Sequence, residues 1–155
     1  MDVPITVRDL EPEDLPDLDW TGGPEHLQAI ARDLAISASG GLAQLVVALP
    51  AGRLIGFGGV DFRTSDQSGT IWMLSVHDAW QSLGVGTLLI TALEKRILAV
   101  GRNLARIGVE HDNPRARALY LRLGYRESGS VLESWPIGAG RRYVTVCQVL
   151  AKNLP

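Results

Sequence analysis

One short stretch limits the folds open to this chain: Gln81-Ser82-Leu83-Gly84-Val85-Gly86-Thr87. It follows a continuous apolar run, Thr70 to Val76, of the kind that forms a strand buried on both faces. It opens a segment from about Gly84 to Val100 in which Leu89, Ala92, Leu93 and Ile97 recur at helical spacing. Strand, glycine turn and helix in that order place backbone N–H groups at a helix N-terminus, where they have no intrahelical partner. With the helix dipole they form a site for an anion such as a pyrophosphate. The residues around the glycines narrow the choice. An NTPase phosphate loop ends in Gly-Lys-Ser/Thr, whereas Gly86 is followed by Thr87 and Leu88. A dinucleotide fingerprint needs a small residue at the position of Leu89. A turn that uses glycine for geometry alone is the bland alternative.

The rest of the chain fits one domain over residues 1–155. Ile5 to Val7 reads as a first strand, and Glu11 to Leu18 as a helical turn or two. Pro24 sits in the first turn of a helix with Leu27, Ile30, Ala31, Leu34 and Ala35 on one face, ending near Gly40-Gly41. Leu42–Leu49 and Arg53–Phe62 read as a hairpin about Pro50-Ala51-Gly52. Leu104–Glu110 is the fifth strand, and Pro114–Leu123 a short helix closed by Gly124. Tyr125–Ser134 and Tyr143–Leu150 are the last two strands, joined by a Pro/Gly-rich loop. The pattern is a mixed α/β sheet.

Composition bounds the function. Of the side chains, 46% are hydrophobic and 21% charged, and the formal net charge is −2, which argues against a nucleic-acid partner. Cys147 is the only cysteine and lies in an apolar strand, so packing is its expected role and no oxidising compartment is needed. Met1-Asp2-Val3-Pro4 lacks the basic start of a secretory leader, and no apolar run has membrane-spanning length. A cytoplasmic location without membrane attachment is expected.

A second motif lies downstream: Val109-x-x-x-Asn113-x-x-Ala116-x-x-x-Tyr120-x-x-x-Gly124-Tyr125. Together with Gln81-x-x-Gly84-x-Gly86 after Leu74-Ser75-Val76-His77, it resembles the GNAT superfamily of acyl-CoA-dependent N-acetyltransferases. The motif-bearing match runs from Thr70 to Tyr125; the outer strands fit the topology without a motif. The resemblance implies a GNAT-like fold, a central, mostly antiparallel sheet of about seven strands with splayed fourth and fifth strands and about four flanking helices. It implies acetyl-CoA as co-substrate, with the pantetheine arm along the backbone of Leu74, Ser75 and Val76. The pyrophosphate would lie on Gln81, Ser82, Leu83, Gly84, Val85, Gly86 and Thr87. Asn113 would orient the acyl end, although a helix N-cap before Pro114 is an equal account of it. Tyr120 would be the general acid for the departing thiolate. Its place on the stripe Ala116, Leu119, Tyr120, Leu123 would turn it inward in any case. The oxyanion donor would be the Leu74 N–H.

The general base departs from the family pattern. Met73 stands where many relatives carry a glutamate. Ser75, on the same face by alternation, and Glu110, at the end of the fifth strand, are the expected catalytic substitutes, with Asp61 and His111 as further candidates. His77-Asp78 and His111-Asp112 lack the ligand spacing of a metal site, so no metal is expected. Trp20 and Trp135 would border the acceptor cleft, and arginines between Arg115 and Arg126 would reach a phosphate or simply face solvent. The acceptor is expected to be a primary amine of a small molecule or peptide, and exposed strand edges near the C-terminus fit a homodimer. A CoA-binding or regulatory module without turnover is the second reading, and an enzyme of another nucleotide cofactor the third.

Overall fold

The computed structural model describes residues 4–155; Met1, Asp2 and Val3, part of the N-terminal sequence read for a leader, lie outside the described residues. The strands are β1 (Thr6–Asp9), β2 (Leu42–Ala48), β3 (Leu54–Asp61), β4 (Ser68–Val76), β5 (Leu104–Glu110), β6 (Arg126–Gly138) and β7 (Arg141–Asn153). The α-helices are α1 (Pro24–Ala38), α2 (Val85–Ala99) and α3 (Pro114–Arg122), and a 3₁₀ segment covers Pro12–Thr21. The seven strands form one sheet in the order β1-β2-β3-β4-β5-β7-β6. Among the described residues, only β4 and β5 run parallel, joined through α2. Among the described residues, no helix is long and apolar enough to cross a membrane.

The near-continuous apolar runs of β2 and β3 have a simple cause: both faces of the sheet are covered there, whereas β6 and the first half of β7 are largely exposed. On one face, Leu45, Val47, Ile55, Val60 and Ile107 pack beneath Leu89, Leu93 and Ile97 of α2 and Tyr120 of α3. On the other, Val46, Ala48, Leu54 and Phe57 pack against Ile30 of α1 and Leu18 of the 3₁₀ segment. The α2 layer is tied laterally at Glu94, which accepts hydrogen bonds from the Tyr125 hydroxyl (2.8 Å) and from Lys152 Nζ (3.1 Å).

Two readings need correction. The first is β4, expected to be buried on both faces. Its start is, but from Trp72 to Val76 every residue is only half-buried. Pairing with β5 covers Ser68–Ile71 against Leu104–Ile107 and then stops, so the two strands part. β4 also bulges there. Trp72 pairs Gly59 and Ser75 pairs Phe57, leaving Met73 and Leu74 opposite Gly58 alone. Met73 takes up the extra residue at φ 56°. The second is the expected loop between the last strands. Strand pairing continues through Trp135↔Tyr143 and Pro136↔Arg142 to a tight turn at Ala139-Gly140. A long two-stranded ribbon results, and Trp135 belongs to it.

Gly59 is the residue this arrangement cannot spare. The Trp72 side chain lies across it, and a Cβ there would sit 2.2 Å from Trp72 Cζ3. Gly59→Ala should therefore destabilise the fold by about 1–3 kcal/mol through overpacking. Urea titration should find part of that loss recovered when Trp72→Leu is added, because neighbouring substitutions couple. Additive losses would mean that the ring moves aside freely.

Candidate active site

The parting of β4 and β5 makes an opening through the sheet, and each face of it carries a cavity. The larger, about 520 Å³, lies on the α2–α3 face. Its floor is Leu74 and Val76, one wall is Gln81, Ser82 and Gly84 to Thr87, and the other is Asn113, Ala116, Leu119 and Tyr120. Most of the residues expected to contact cofactor thus line one cleft. Ser75 and Leu83 do not; Ser75 faces the second cavity and Leu83 is exposed.

The loop wall is shaped by Gly84, the N-cap residue of α2. Its φ of 88° lies in the left-handed region that glycine enters without steric cost. The turn directs the first N–H groups of α2 into the cleft end, and no acidic side chain occupies the first turn. Arg115 reaches over from α3, donating to Gln81 Oε1 (3.3 Å) and to Ser82 Oγ. Sequence reasoning placed it only among arginines near a phosphate; the structure puts its guanidinium at the cleft mouth with Arg122.

On α3, Asn113 Oδ1 accepts from Ala116 N–H at 3.2 Å, so it is the N-cap and also lines the cleft. Tyr120 is 6% exposed and faces the same cleft. Its hydroxyl has no hydrogen-bond partner among the described residues. Burial pushes its pKa up to about 12, so the phenol keeps its proton at neutral pH. Tyr125, by contrast, is locked into the core by Glu94.

The second cavity, about 320 Å³, opens on the α1 face and is lined by Trp20, Thr21, Ser75, His77 and Asp78. Leu74, Val76 and Gln81 line both cavities, so the two meet at the end of β4 and the turn that follows it. The Trp20 and His77 rings meet edge to face at 5.3 Å, and Trp20 Nε1 is buried without a partner. Ser75 Oγ donates to Met73 O at 3.2 Å, and Met73 packs into the apolar cluster on this face. Glu110 ends β5 and lines neither cavity; its Oε1 is buried, and its carboxylate lies at the Tyr143 hydroxyl, whose pKa it raises. The other base candidates are accounted for. Asp61 is held below the usual carboxylate range by its bonds with Arg63, and His111 is exposed beside Val146 O. Among the described residues, no cluster of His, Cys, Asp or Glu could hold a metal ion.

Comparison with known proteins bears on the fold and the family. The fold matches a putative acetyltransferase from Acinetobacter baylyi (TM-score 0.76, 17% identity, 98% of this chain and 93% of that one). It also matches the ribosomal-protein-S18-alanine N-acetyltransferase from Escherichia coli (TM-score 0.76, 20% identity, 97% and 94%). A third match is the spermidine/spermine N-acetyltransferase SpeG from Vibrio cholerae (TM-score 0.72, 21% identity, 96% and 92%). At those identities the likeness concerns the fold. The sequence itself matches the model of the acetyltransferase (GNAT) family over residues 7–125, which includes β4, the glycine loop, β5 and α3. The chain belongs to the GNAT acetyltransferase family.

Proposed function

We propose that this protein is an N-acetyltransferase that moves an acetyl group from acetyl-CoA to a primary amine of a small molecule or peptide, directly, within a ternary complex. The observation that carries the reading is the single cleft between β4, the glycine loop and α3, which meets a second cavity across the end of β4. The cleft suits a long phosphorylated thioester. The N–H groups at the start of α2 and the Arg115 guanidinium supply positive charge at one end for the pyrophosphate. The β5-facing backbone of Leu74 to Val76 lacks a strand partner because pairing ends at Ile71, which leaves groups for the pantetheine amides. The amine enters from the α1 face.

In the transfer, the amine nitrogen attacks the thioester carbonyl carbon and the C–S bond then breaks. The Leu74 N–H stabilises the negative charge that gathers on the carbonyl oxygen. Tyr120 gives its proton, or a hydrogen bond, to the departing sulfur. The proton lost by the amine passes to water held near Ser75 and Glu110, because Met73 cannot accept it. Met73 is also the observation that favours the second reading, a CoA-binding module without turnover. Release of free thiol from acetyl-CoA with a panel of amines separates the two. The reading includes a cytoplasmic location and the homodimer expected from the free β6 edge.

Three variants test the assignments. Gly86 points its α-carbon at the cleft, where an added Cβ would meet Leu119 at an ordinary 3.5 Å. Gly86→Val should leave the fold intact but fill the cleft, weakening acetyl-CoA binding about tenfold or more, about 1.4 kcal/mol. Unchanged affinity in calorimetry would remove the loop from the cofactor site. Tyr120→Phe keeps the ring and its packing. Stability should change by no more than about 1 kcal/mol, while turnover falls about 100-fold. Parent-like turnover with saturating acceptor and chemistry limiting the rate would make Tyr120 a core residue only. Glu110→Gln should cost only about tenfold, below the contribution of a dedicated base. A loss of several thousandfold at constant acceptor affinity would identify Glu110 as the base itself.

A further inference from the structure

Among the described residues, Gln81 is the one polar side chain that lines both cavities; Leu74 and Val76, the other shared residues, are apolar. Its amide is engaged at both ends. Nε2 donates to Asp78 Oδ1 at 3.2 Å and to Val76 O at 3.4 Å, and Oε1 accepts from Arg115 Nη1 at 3.3 Å. An amide has donors at one end and an acceptor at the other. A carboxylate and a carbonyl on one side, with a guanidinium on the other, therefore allow this amide a single orientation. Asp78 lines only the smaller cavity, and Arg115 only the larger. The three side chains thus form a chain past the end of β4, from the α1 face to the α3 face. The transfer chemistry proposed above uses Arg115 but leaves the Gln81 amide and Asp78 without a task.

The chain leaves Arg115 fixed but not neutralised. Its other nitrogen, Nη2, donates to Ser82 Oγ, so both contacts of the guanidinium are to uncharged oxygens. Arg115 forms no ion pair among the described residues. Arg117, two residues on, shows the contrasting arrangement: it is paired with Glu127 and donates to Gln148 Oε1 at 2.8 Å. A guanidinium held by neutral acceptors keeps its charge for an anion. A long exposed side chain loses rotamer freedom when it grips a ligand, and one that is already fixed binds more tightly. Ser82 gains as well. It sits at φ 65°, a conformation that a non-glycine residue keeps only where its surroundings hold it, and Arg115 anchors its hydroxyl.

We propose that Asp78 and Gln81 are positioning residues for the cofactor: Asp78, from the α1 face of the sheet, orients the Gln81 amide, and Gln81 holds Arg115 at the cleft mouth for a phosphate of the cofactor. The inference rests on the reading of the cleft as the acetyl-CoA site and assigns that site two side chains, one of them outside the cleft. Its sign is opposite to that of simple charge. Removing a carboxylate near an anion site strengthens anion binding or leaves it unchanged when Coulomb attraction alone acts. When Asp78 acts by aiming Gln81, its removal weakens binding instead.

The test is calorimetric titration of the full chain with CoA. Asp78→Ala and Gln81→Leu, both at exposed positions, should each weaken CoA binding about threefold to tenfold, the worth of one hydrogen bond. Asp78→Asn keeps an oxygen acceptor for the amide and should recover most of the loss. In an Arg115→Ala background, Asp78→Ala should have no further effect, because the residue it acts through is gone. Equal or tighter binding by Asp78→Ala, or the same loss with and without Arg115, overturns the proposal. A parent chain that binds no CoA overturns it together with the cofactor reading. Acetyl transfer is scored separately, by thiol release from acetyl-CoA with the panel of amines. Thiol release by a parent whose CoA affinity is indifferent to Asp78 defeats this inference alone. The expected losses without thiol release support it and defeat the acetyltransferase reading.

Discussion

The pairing of β4 with β5 ends at Ile71↔Ile107, and the rest of the candidate site depends on that ending. Parallel strands held by hydrogen bonds along their full length would close the sheet and leave no passage between its faces. Here the bulge at Met73 turns β4 away from β5 just after the last shared pair. A non-glycine residue at positive φ costs about 1–3 kcal/mol. The surrounding structure holds it there: Met73 is packed into the apolar cluster of the α1 face, and Trp72 is laid over the bare α-carbon of Gly59. The opening is therefore built into the packing on both sides.

An opened sheet leaves polar groups unpaired, and these are where the chemistry is proposed. Beyond Ile71 the β5-facing backbone of β4 lacks its ladder. Tyr120 faces the cleft, and its hydroxyl, without a hydrogen-bond partner among the described residues, is held protonated by burial of the residue. On the α1 face Trp20 Nε1 is buried without a partner among the described residues, while Glu110 and Thr145 lie at the Tyr143 hydroxyl. Buried groups in a native core are normally satisfied, and the Tyr125 hydroxyl on Glu94, five residues on and just past the end of α3, follows that rule. The two tyrosines thus differ: Tyr125 completes the core, and Tyr120 is the one proposed to meet the cofactor.

Much of this was legible in the sequence, for reasons that differ element by element. Gly84 and the apolar run before it fixed the strand–turn–helix unit because few residues tolerate φ near 88° at a helix start. Asn113-Pro114 marked the start of α3 because both residues satisfy helix-end requirements. The bulge was not legible: methionine carries no signal for the left-handed region, and Trp72 to Val76 reads as an ordinary strand. The ribbon was misread because Pro136, Gly138 and Gly140 are loop residues by composition, while an edge strand tolerates proline where no ladder bond is needed. Arg115 reaching from α3 to Gln81 and Ser82 is a consequence of tertiary placement, which spacing along the chain does not show.

The two cavities also bear on how transfer would proceed. They lie on opposite faces of one sheet and share Leu74, Val76 and Gln81 as a common wall. A route through a covalent acyl-enzyme would need a nucleophile at that wall. Leu74 and Val76 have none to offer, and Ser75 Oγ donates its proton to Met73 O, with no histidine hydrogen-bonded to it among the described residues to act as its base. Cys147 lies on the far side of Glu110, buried, with its thiol pushed up and thus a poor nucleophile. What the wall does supply is backbone, which can hold a thioester and stabilise an oxyanion without being consumed. On the proposed reading, two reactants approaching from opposite faces, with no nucleophile in the wall they share, would react by direct attack. The protein's main contribution would then be to hold carbonyl and amine in line, which makes the weak base left by Met73 tolerable.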